Sequence, residues 1–82
     1  MLITLYKSSL CPRCYLAKKS LQQLAKNYSD MQIEEVDILT SPGLALHAGI
    51  RMIPAIRVGD KTLSSIYLSR KKIDEFVTSF IL

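Results

Sequence analysis

The chain begins with an apolar run at residues 2–6 (LITLY), which is followed at once by polar residues. Such a run is typical of a strand that is covered on both faces, as in a parallel or mixed sheet with helices packed against it. The chain has 82 residues, of which 49% are hydrophobic and 22% are charged, and these proportions argue against disorder and against a coiled coil. We therefore expect one domain over residues 1–82.

Three helices are indicated by apolar residues at helical spacing. The first begins at Pro12, the second is short and runs from Pro42 to near Gly49, and the third is capped by Ser69. The apolar face predicted for the first helix consists of Ala17, Ser20, Leu21, Leu24, Ala25 and Tyr28. The face predicted for the third helix consists of Ile73, Phe76, Val77 and Phe80.

Three further strands complete the predicted pattern. Residues 31–38 (MQIEEVDI) carry charges on both faces, which is typical of an edge strand. Residues 55–58 and 62–65 form a hairpin around the turn at residues 59–60. The order is then strand, helix, strand, helix, strand, strand, helix. This order predicts a mixed sheet with helices on both faces.

Two cysteines stand three residues apart in Cys11-Pro12-Arg13-Cys14, where the first strand gives way to the first helix. Residues at this spacing share one helix face, so the two sulfurs can reach bonding distance. At a helix N-terminus the free N–H groups and the dipole favour a thiolate, and the charges of Arg13 and Lys7 add to this effect. We predict Cys11 as the nucleophile, Cys14 as the resolving thiol, and Pro12, Arg13 and Lys7 as residues that tune the pair. The predicted chemistry is attack on a substrate disulfide.

Two other functions are open for a cysteine pair at this spacing. One is a metal-binding or metal-transfer module, because such a pair binds soft cations such as Cu(I). Two cysteines and one histidine do not complete a structural zinc site, and we expect no resident metal. Small copper carriers also have the order strand, helix, strand, strand, helix, strand, unlike the order predicted here. The other function is a disulfide that regulates or docks a partner.

Charge and hydropathy indicate which partners and which compartment to expect for the protein. The 11 Lys and Arg residues are spread along the chain, and aromatic residues make up only 7%, so we expect no nucleic-acid binding. Neither a signal peptide nor a membrane span is indicated, so we expect a cytoplasmic monomer that binds no membrane. In the cytoplasm ordinary thiols are reduced, and a close cysteine pair there indicates catalysis, redox sensing or metal binding.

Two other positions are candidates for contact with a substrate. The Ile53-Pro54 bond precedes the predicted hairpin and could be cis there, although trans is the commoner form, and the sequence leaves both open. Tyr15 follows Cys14 directly and either lines a substrate groove or packs within the helix.

Three stretches together resemble the thioredoxin-fold oxidoreductases. They are residues 11–14 (CPRC), residues 36–38 (VDI) and residues 49–55 (GIRMIPA). The last stretch is close to thioredoxin. A chain that starts directly at the strand before the cysteines is more similar to glutaredoxin and to the small thioredoxins of archaea and bacteria. The resemblance covers essentially the whole chain.

The resemblance implies an α/β thioredoxin-like fold in its minimal, glutaredoxin-type form. This form is βαβαββα, with three helices and a four-stranded mixed sheet in the order 2-1-3-4. It further implies that Pro54 is cis and lies against the cysteine pair, and that the backbone of Ile53 binds an extended substrate strand. The implied substrates are protein disulfides, with thioredoxin reductase or glutathione as the electron donor. No bound cofactor is implied, and glutathione would serve as a co-substrate.

Several positions depart from the family pattern. Leu5 stands where thioredoxins have a buried aspartate that helps to deprotonate the resolving thiol. Residues 52–54 (MIP) replace the T-V-P of glutaredoxins, residues 64–66 (SSI) replace G-G and an acidic residue, and Arg13 replaces an aromatic residue. The residues that hold glutathione in glutaredoxins are thus altered. Lys7, Arg13 and Arg51 remain to attract an acidic peptide.

Overall fold

The computed structural model describes residues 1–50, 52–64 and 69–81. The seven elements in chain order are β1 (Leu2–Lys7), α1 (Pro12–Ala25), β2 (Gln32–Asp37), α2 (Pro42–His47), β3 (Ala55–Val58), β4 (Lys61–Ser64) and α3 (Arg70–Thr78). This is the predicted order of elements. Two parts of the sequence interpretation, Arg51 and the predicted strand end at Ser65 with Ile66 after it, lie outside the described residues.

The four strands form one sheet in the order β2-β1-β3-β4, so the implied order 2-1-3-4 is confirmed. β1 runs parallel to β2, because the connection through α1 returns the chain to the same end of the sheet, and it runs antiparallel to β3. β3 and β4 form the predicted hairpin, and Gly59 takes a φ of +61° at its turn. β2 is at an edge, as its charges indicated.

Residues of β1 contribute to the cores on both faces of the sheet. On one face Ile3 and Leu5 are fully buried under α1 and α3, in a cluster that includes Leu21 and Ile73. On the other face Tyr6 packs with Ala45 of α2. The prediction of a strand covered on both faces is therefore confirmed. Within the described ranges, no helix combines the length and the apolarity needed to cross a membrane.

The apolar face predicted for α1 is confirmed in its central part. Ala17, Leu21 and Leu24 are buried, and Ser20 is half-buried. Tyr28 is half-buried as well, but it lies beyond the end of α1 at Ala25 and packs against the core from the connecting turn. The helix therefore ends before the last predicted position of its apolar face.

The prediction that Phe80 is a core residue is wrong. Ile73 and Val77 are fully buried and Phe76 packs against the core, but Phe80 is 38% exposed. The reason is that α3 ends at Thr78, so helical spacing no longer places Phe80 on the buried face. Its ring instead meets the edge of the Phe76 ring, with 5.2 Å between centroids.

Ser69 caps α3 as predicted, with its hydroxyl oxygen accepting a hydrogen bond from the N–H of Lys72 at 3.2 Å. The first turn of α3 contains no acidic residue. We expect Lys72→Glu to raise the free energy of unfolding by about 0.5–1 kcal/mol, because it completes a capping box and complements the helix dipole. Urea denaturation measures this change. Lys61→Glu makes the same change in net charge on the exposed strand β4, and an equal gain there would contradict the explanation.

Candidate functional site

The loop between β1 and α1 is fixed by Ser8. Its carbonyl oxygen accepts a hydrogen bond from the N–H of Cys11 at 3.1 Å, and its hydroxyl oxygen accepts one from the N–H of Leu10 at 3.2 Å. The two bonds hold the turn that presents Cys11 at the start of the helix. Sequence reasoning assigned Ser8 no role. The signal was available, since serine in a short turn often binds the backbone two residues ahead.

Cys11 occupies the N-cap position of α1, with extended backbone angles of φ −106° and ψ 107°. Its sulfur accepts a hydrogen bond from the N–H of Cys14 at 3.2 Å. Pro12, the first helical residue, has no N–H of its own to offer. Cys11 is half-buried, so its sulfur combines partial access to solvent with a backbone N–H donor. This is the placement that the sequence predicted.

Cys14 lies one helical turn further and is only 1% exposed. Burial and the hydrogen bond to the Cys11 side chain raise the pKa of the Cys14 thiol from 9.0 to about 11. The backbone of Ser8 and the charge of Arg13 act in the opposite direction but do not overcome burial. Both thiols are free in the structure. The helix start thus holds one accessible sulfur and one buried thiol that keeps its proton.

A small hollow of about 100 Å³, the thiol hollow, opens beside Cys11. It is lined by Lys7, Ser8, Ser9, Cys11, Tyr15 and Lys18. The ring of Tyr15 is largely solvent-exposed, and the ammonium of Lys19 lies 5.4 Å from its centroid. Tyr15 thus lies outside the core and lines the thiol hollow, and its contact with a substrate remains a prediction.

Lys7 and Lys18 are both paired with a single carboxylate on β2. Lys7 Nζ lies 3.5 Å from Glu35 Oε1, and Lys18 Nζ lies 3.3 Å from Glu35 Oε2. Sequence reasoning named Lys7 but missed Lys18 and Glu35. Lys18 is four residues after Cys14, so helical spacing was a signal that it shares the face of the cysteines.

The Ile53-Pro54 peptide bond is cis, as the resemblance implied. Pro54 is buried, and the half-buried Ile53 packs against the smaller core cluster around Tyr6 and Ala55. Contact between these two residues and a substrate remains a prediction.

A larger hollow, of about 530 Å³, lies at the far end of β1 and is lined by residues that include Met1, Arg57 and Gly59. Neither cysteine lines it, so its size does not make it the reactive site. Leu5, at the position of the thioredoxin aspartate, is fully buried among apolar side chains. Across residues 1–50, 52–64 and 69–81 no polar or charged residue is buried, and no three metal-ligating side chains cluster.

Known proteins similar to this chain are thioredoxins. No protein-family model matches the chain. A thioredoxin of the archaeon Methanocaldococcus jannaschii is 31% identical over 55 residues, which are 66% of this chain and 65% of that protein. The match therefore spans slightly less than two thirds of the archaeal relative.

Solved thioredoxin structures share the fold. Thioredoxin 1 of Thermosipho africanus superposes with a TM-score of 0.76 at 21% identity, over the full length of both chains. Mitochondrial thioredoxin 3 of Saccharomyces cerevisiae gives a TM-score of 0.82 at 16% identity, over 95% of this chain and 76% of that one. The chain is a thioredoxin-fold protein with the cysteine pair at the start of α1. Over the 55 matched residues, its sequence is similar to that of the archaeal thioredoxin.

The raised pKa of Cys14 can be tested in the reduced protein. Cys11→Ala removes the hydrogen bond and the charge of Cys11, both of which raise this pKa, so we expect it to fall below about 11. Burial, the largest cause, keeps it above 9.0. The rate of Cys14 alkylation against pH measures the value. A Cys14 thiol that titrates below 9.0 in this variant would contradict the dominance of burial.

The same shift predicts how stability depends on pH. Because the pKa of Cys14 is higher in the folded than in the unfolded state, the folded protein keeps a proton that the unfolded chain releases. We expect the free energy of unfolding of the reduced protein to fall as the pH rises from 9.0 to about 11. In Cys14→Ala the free energy of unfolding should fall less over this range, because the thiol that releases the proton is absent. Urea denaturation at several pH values compares the two slopes.

Proposed function

We propose that the protein is a thiol–disulfide oxidoreductase that exchanges its Cys11–Cys14 pair with disulfides of other proteins. The observation that carries this proposal is the unequal placement of the two thiols. Cys11 Sγ is partly accessible and accepts an N–H bond at 3.2 Å, and Cys14 is buried one turn behind it. An accessible thiolate with a second thiol in reach is what exchange through a mixed disulfide requires.

The reaction begins with attack of the Cys11 thiolate on one sulfur of a substrate disulfide. The substrate S–S bond breaks, a Cys11–substrate disulfide forms, and the other substrate sulfur leaves as a thiolate that takes a proton. Cys14 then loses its proton and attacks the Cys11 sulfur. The Cys11–Cys14 disulfide forms, and the second substrate sulfur is released as a thiol. The substrate is reduced by two electrons and the pair is oxidised by two.

The first step makes the second step easier. In the dithiol, the hydrogen bond to Cys11 and the charge of Cys11 both raise the pKa of Cys14. Once Cys11 is part of a mixed disulfide it carries no thiolate charge, so the charge contribution disappears. The charge of Arg13, which lowers the pKa of Cys14, remains. Cys14 thus becomes more acidic when its thiolate is needed.

The proposal extends to the partners of the reaction. Protein disulfides are the proposed substrates, and thioredoxin reductase or glutathione is the proposed electron donor. The thioredoxin homologue supports the first donor, and the lysine-lined thiol hollow beside Cys11 is compatible with glutathione, which is anionic. The family residues that hold glutathione are altered, so the first donor is preferred.

Substitution of each cysteine separates the two steps. We expect Cys11→Ser to abolish the reduction of insulin, because the nucleophile is lost. Cys14→Ser should keep the first attack and accumulate a mixed disulfide, because no resolving thiol remains. Mass spectrometry detects that adduct, and circular dichroism confirms that both variants are folded. Equal activity of Cys11→Ser and the unchanged protein would overturn the assignment of the nucleophile.

The electron donor is identified by coupled assays with NADPH. One assay contains thioredoxin reductase, and the other contains glutathione with glutathione reductase. We expect turnover of insulin disulfides with the first system to exceed that with the second. No turnover with either system, together with tight stoichiometric binding of Cu(I) by the folded dithiol, would favour a metal-transfer protein instead.

A further inference from the structure

The two side-chain ion pairs found among residues 1–50, 52–64 and 69–81 share one carboxylate. Glu35 Oε1 lies 3.5 Å from Lys7 Nζ, and Glu35 Oε2 lies 3.3 Å from Lys18 Nζ. The three side chains come from β2, β1 and α1, respectively. Both lysines also line the thiol hollow next to Cys11. A carboxylate on an edge strand therefore holds the two ammonium groups that stand beside the nucleophile.

The register of the sheet explains this position of Glu35. In the parallel pair of β1 and β2, Glu35 is the partner of Leu5, so its side chain lies on the same face of the sheet as Leu5. That face is covered by α1, which brings Lys18 over the carboxylate. Lys7 is two residues beyond Leu5 on the same face, and it reaches the carboxylate from the other side.

Neighbouring carboxylates are arranged differently. Asp37 is the register partner of Lys7, but its Oδ1 accepts a hydrogen bond at 2.8 Å from the N–H of Leu39 in the following loop. Glu34 is exposed and, by strand alternation, lies on the opposite face of β2. Glu35 is thus the carboxylate placed to offset the charge of Lys7 and Lys18.

We propose that Glu35 helps to determine which disulfide substrates the protein prefers. This proposal rests on the proposed thiol–disulfide exchange. Glu35 leaves the wall of the thiol hollow with one net positive charge from two lysines and one carboxylate. Such a wall favours disulfides that carry a carboxylate close to the reacting sulfur, as in an acidic peptide. The same carboxylate limits this preference, because it competes with the substrate for both ammonium groups.

The size of the effect follows from the exposure of the charges. The side chains of Lys7, Lys18 and Glu35 are 23%, 34% and 32% exposed, so solvent screens their interactions. One charge acting through solvent over several ångströms changes a rate by about threefold. A substrate with two carboxylates should respond by up to about tenfold, and added salt should diminish the response.

The experiment compares two disulfide probes of different charge. The reduced protein is mixed with a bis(nitrobenzoate) disulfide, which carries two carboxylates, and with dipyridyl disulfide, which is neutral. The ratio of the two second-order rate constants at low salt reports the charge preference independently of the reactivity of the thiol. We expect Glu35→Gln to raise this ratio by about threefold to tenfold and Lys18→Met to lower it similarly.

Matched variants give the same change in net charge away from the thiol hollow. Glu34→Gln is the control for Glu35→Gln, and Lys61→Met on β4 is the control for Lys18→Met. Neither control should move the ratio by more than about twofold. A ratio unchanged in both Glu35→Gln and Lys18→Met, or moved equally by their controls, would overturn the proposal. Failure of the unchanged protein to react with the neutral probe would instead overturn thiol exchange itself.

Discussion

The structure depends on the pairing of β1 in the middle of the sheet. This strand is hydrogen-bonded to β2 on one side and to β3 on the other, and its side chains enter the cores on both faces. A slip of one residue would exchange the two faces and move Ile3 and Leu5 out of the cluster under α1 and α3. The same register sets where the strand ends, and so where α1 begins. The position of Cys11 is therefore fixed by contacts that lie several residues away from it.

The chemistry of the site comes from a steep change in environment over one helical turn. Cys11 is partly exposed to solvent and its sulfur accepts a hydrogen bond from a backbone N–H, whereas Cys14 is buried. No buried carboxylate among the described residues assists Cys14, in contrast to the aspartate that the thioredoxin pattern has at the position of Leu5. In the proposed reaction, proton loss from Cys14 then relies on the loss of the Cys11 charge when the mixed disulfide forms.

Local patterns were sufficient to predict much of this site. The apolar run of β1, the proline at the start of α1 and the spacing of the cysteines placed Cys11 and Cys14 correctly, because each signal acts within a few residues. The end of α3 was not predictable in this way. The apolar spacing continues to Phe80, but α3 ends at Thr78, where the hydroxyl groups of Thr78 and Ser79 donate hydrogen bonds to carbonyl oxygens of the last turn, and Phe80 lies beyond this end.

Contacts between distant parts of the chain could not be predicted. The contact of Glu35 with Lys7 and Lys18 requires the register of two parallel strands that are separated by a helix. No local pattern specifies that register. The isomer of the Ile53-Pro54 bond was open for a different reason, since the intrinsic preference for trans amounts to only about 0.5–1 kcal/mol and the surrounding fold decides it.

In the proposed exchange reaction, the buried thiol of Cys14 also links the electrons of the pair to protons. Its pKa of about 11 means that reduction of a Cys11–Cys14 disulfide leaves Cys14 protonated throughout the physiological range of pH. Each proton taken up with the two electrons lowers the midpoint potential by roughly 30 mV per pH unit. The proposed exchange thus makes the dithiol a stronger reductant in an alkaline compartment than in an acidic one, with no change in its fold.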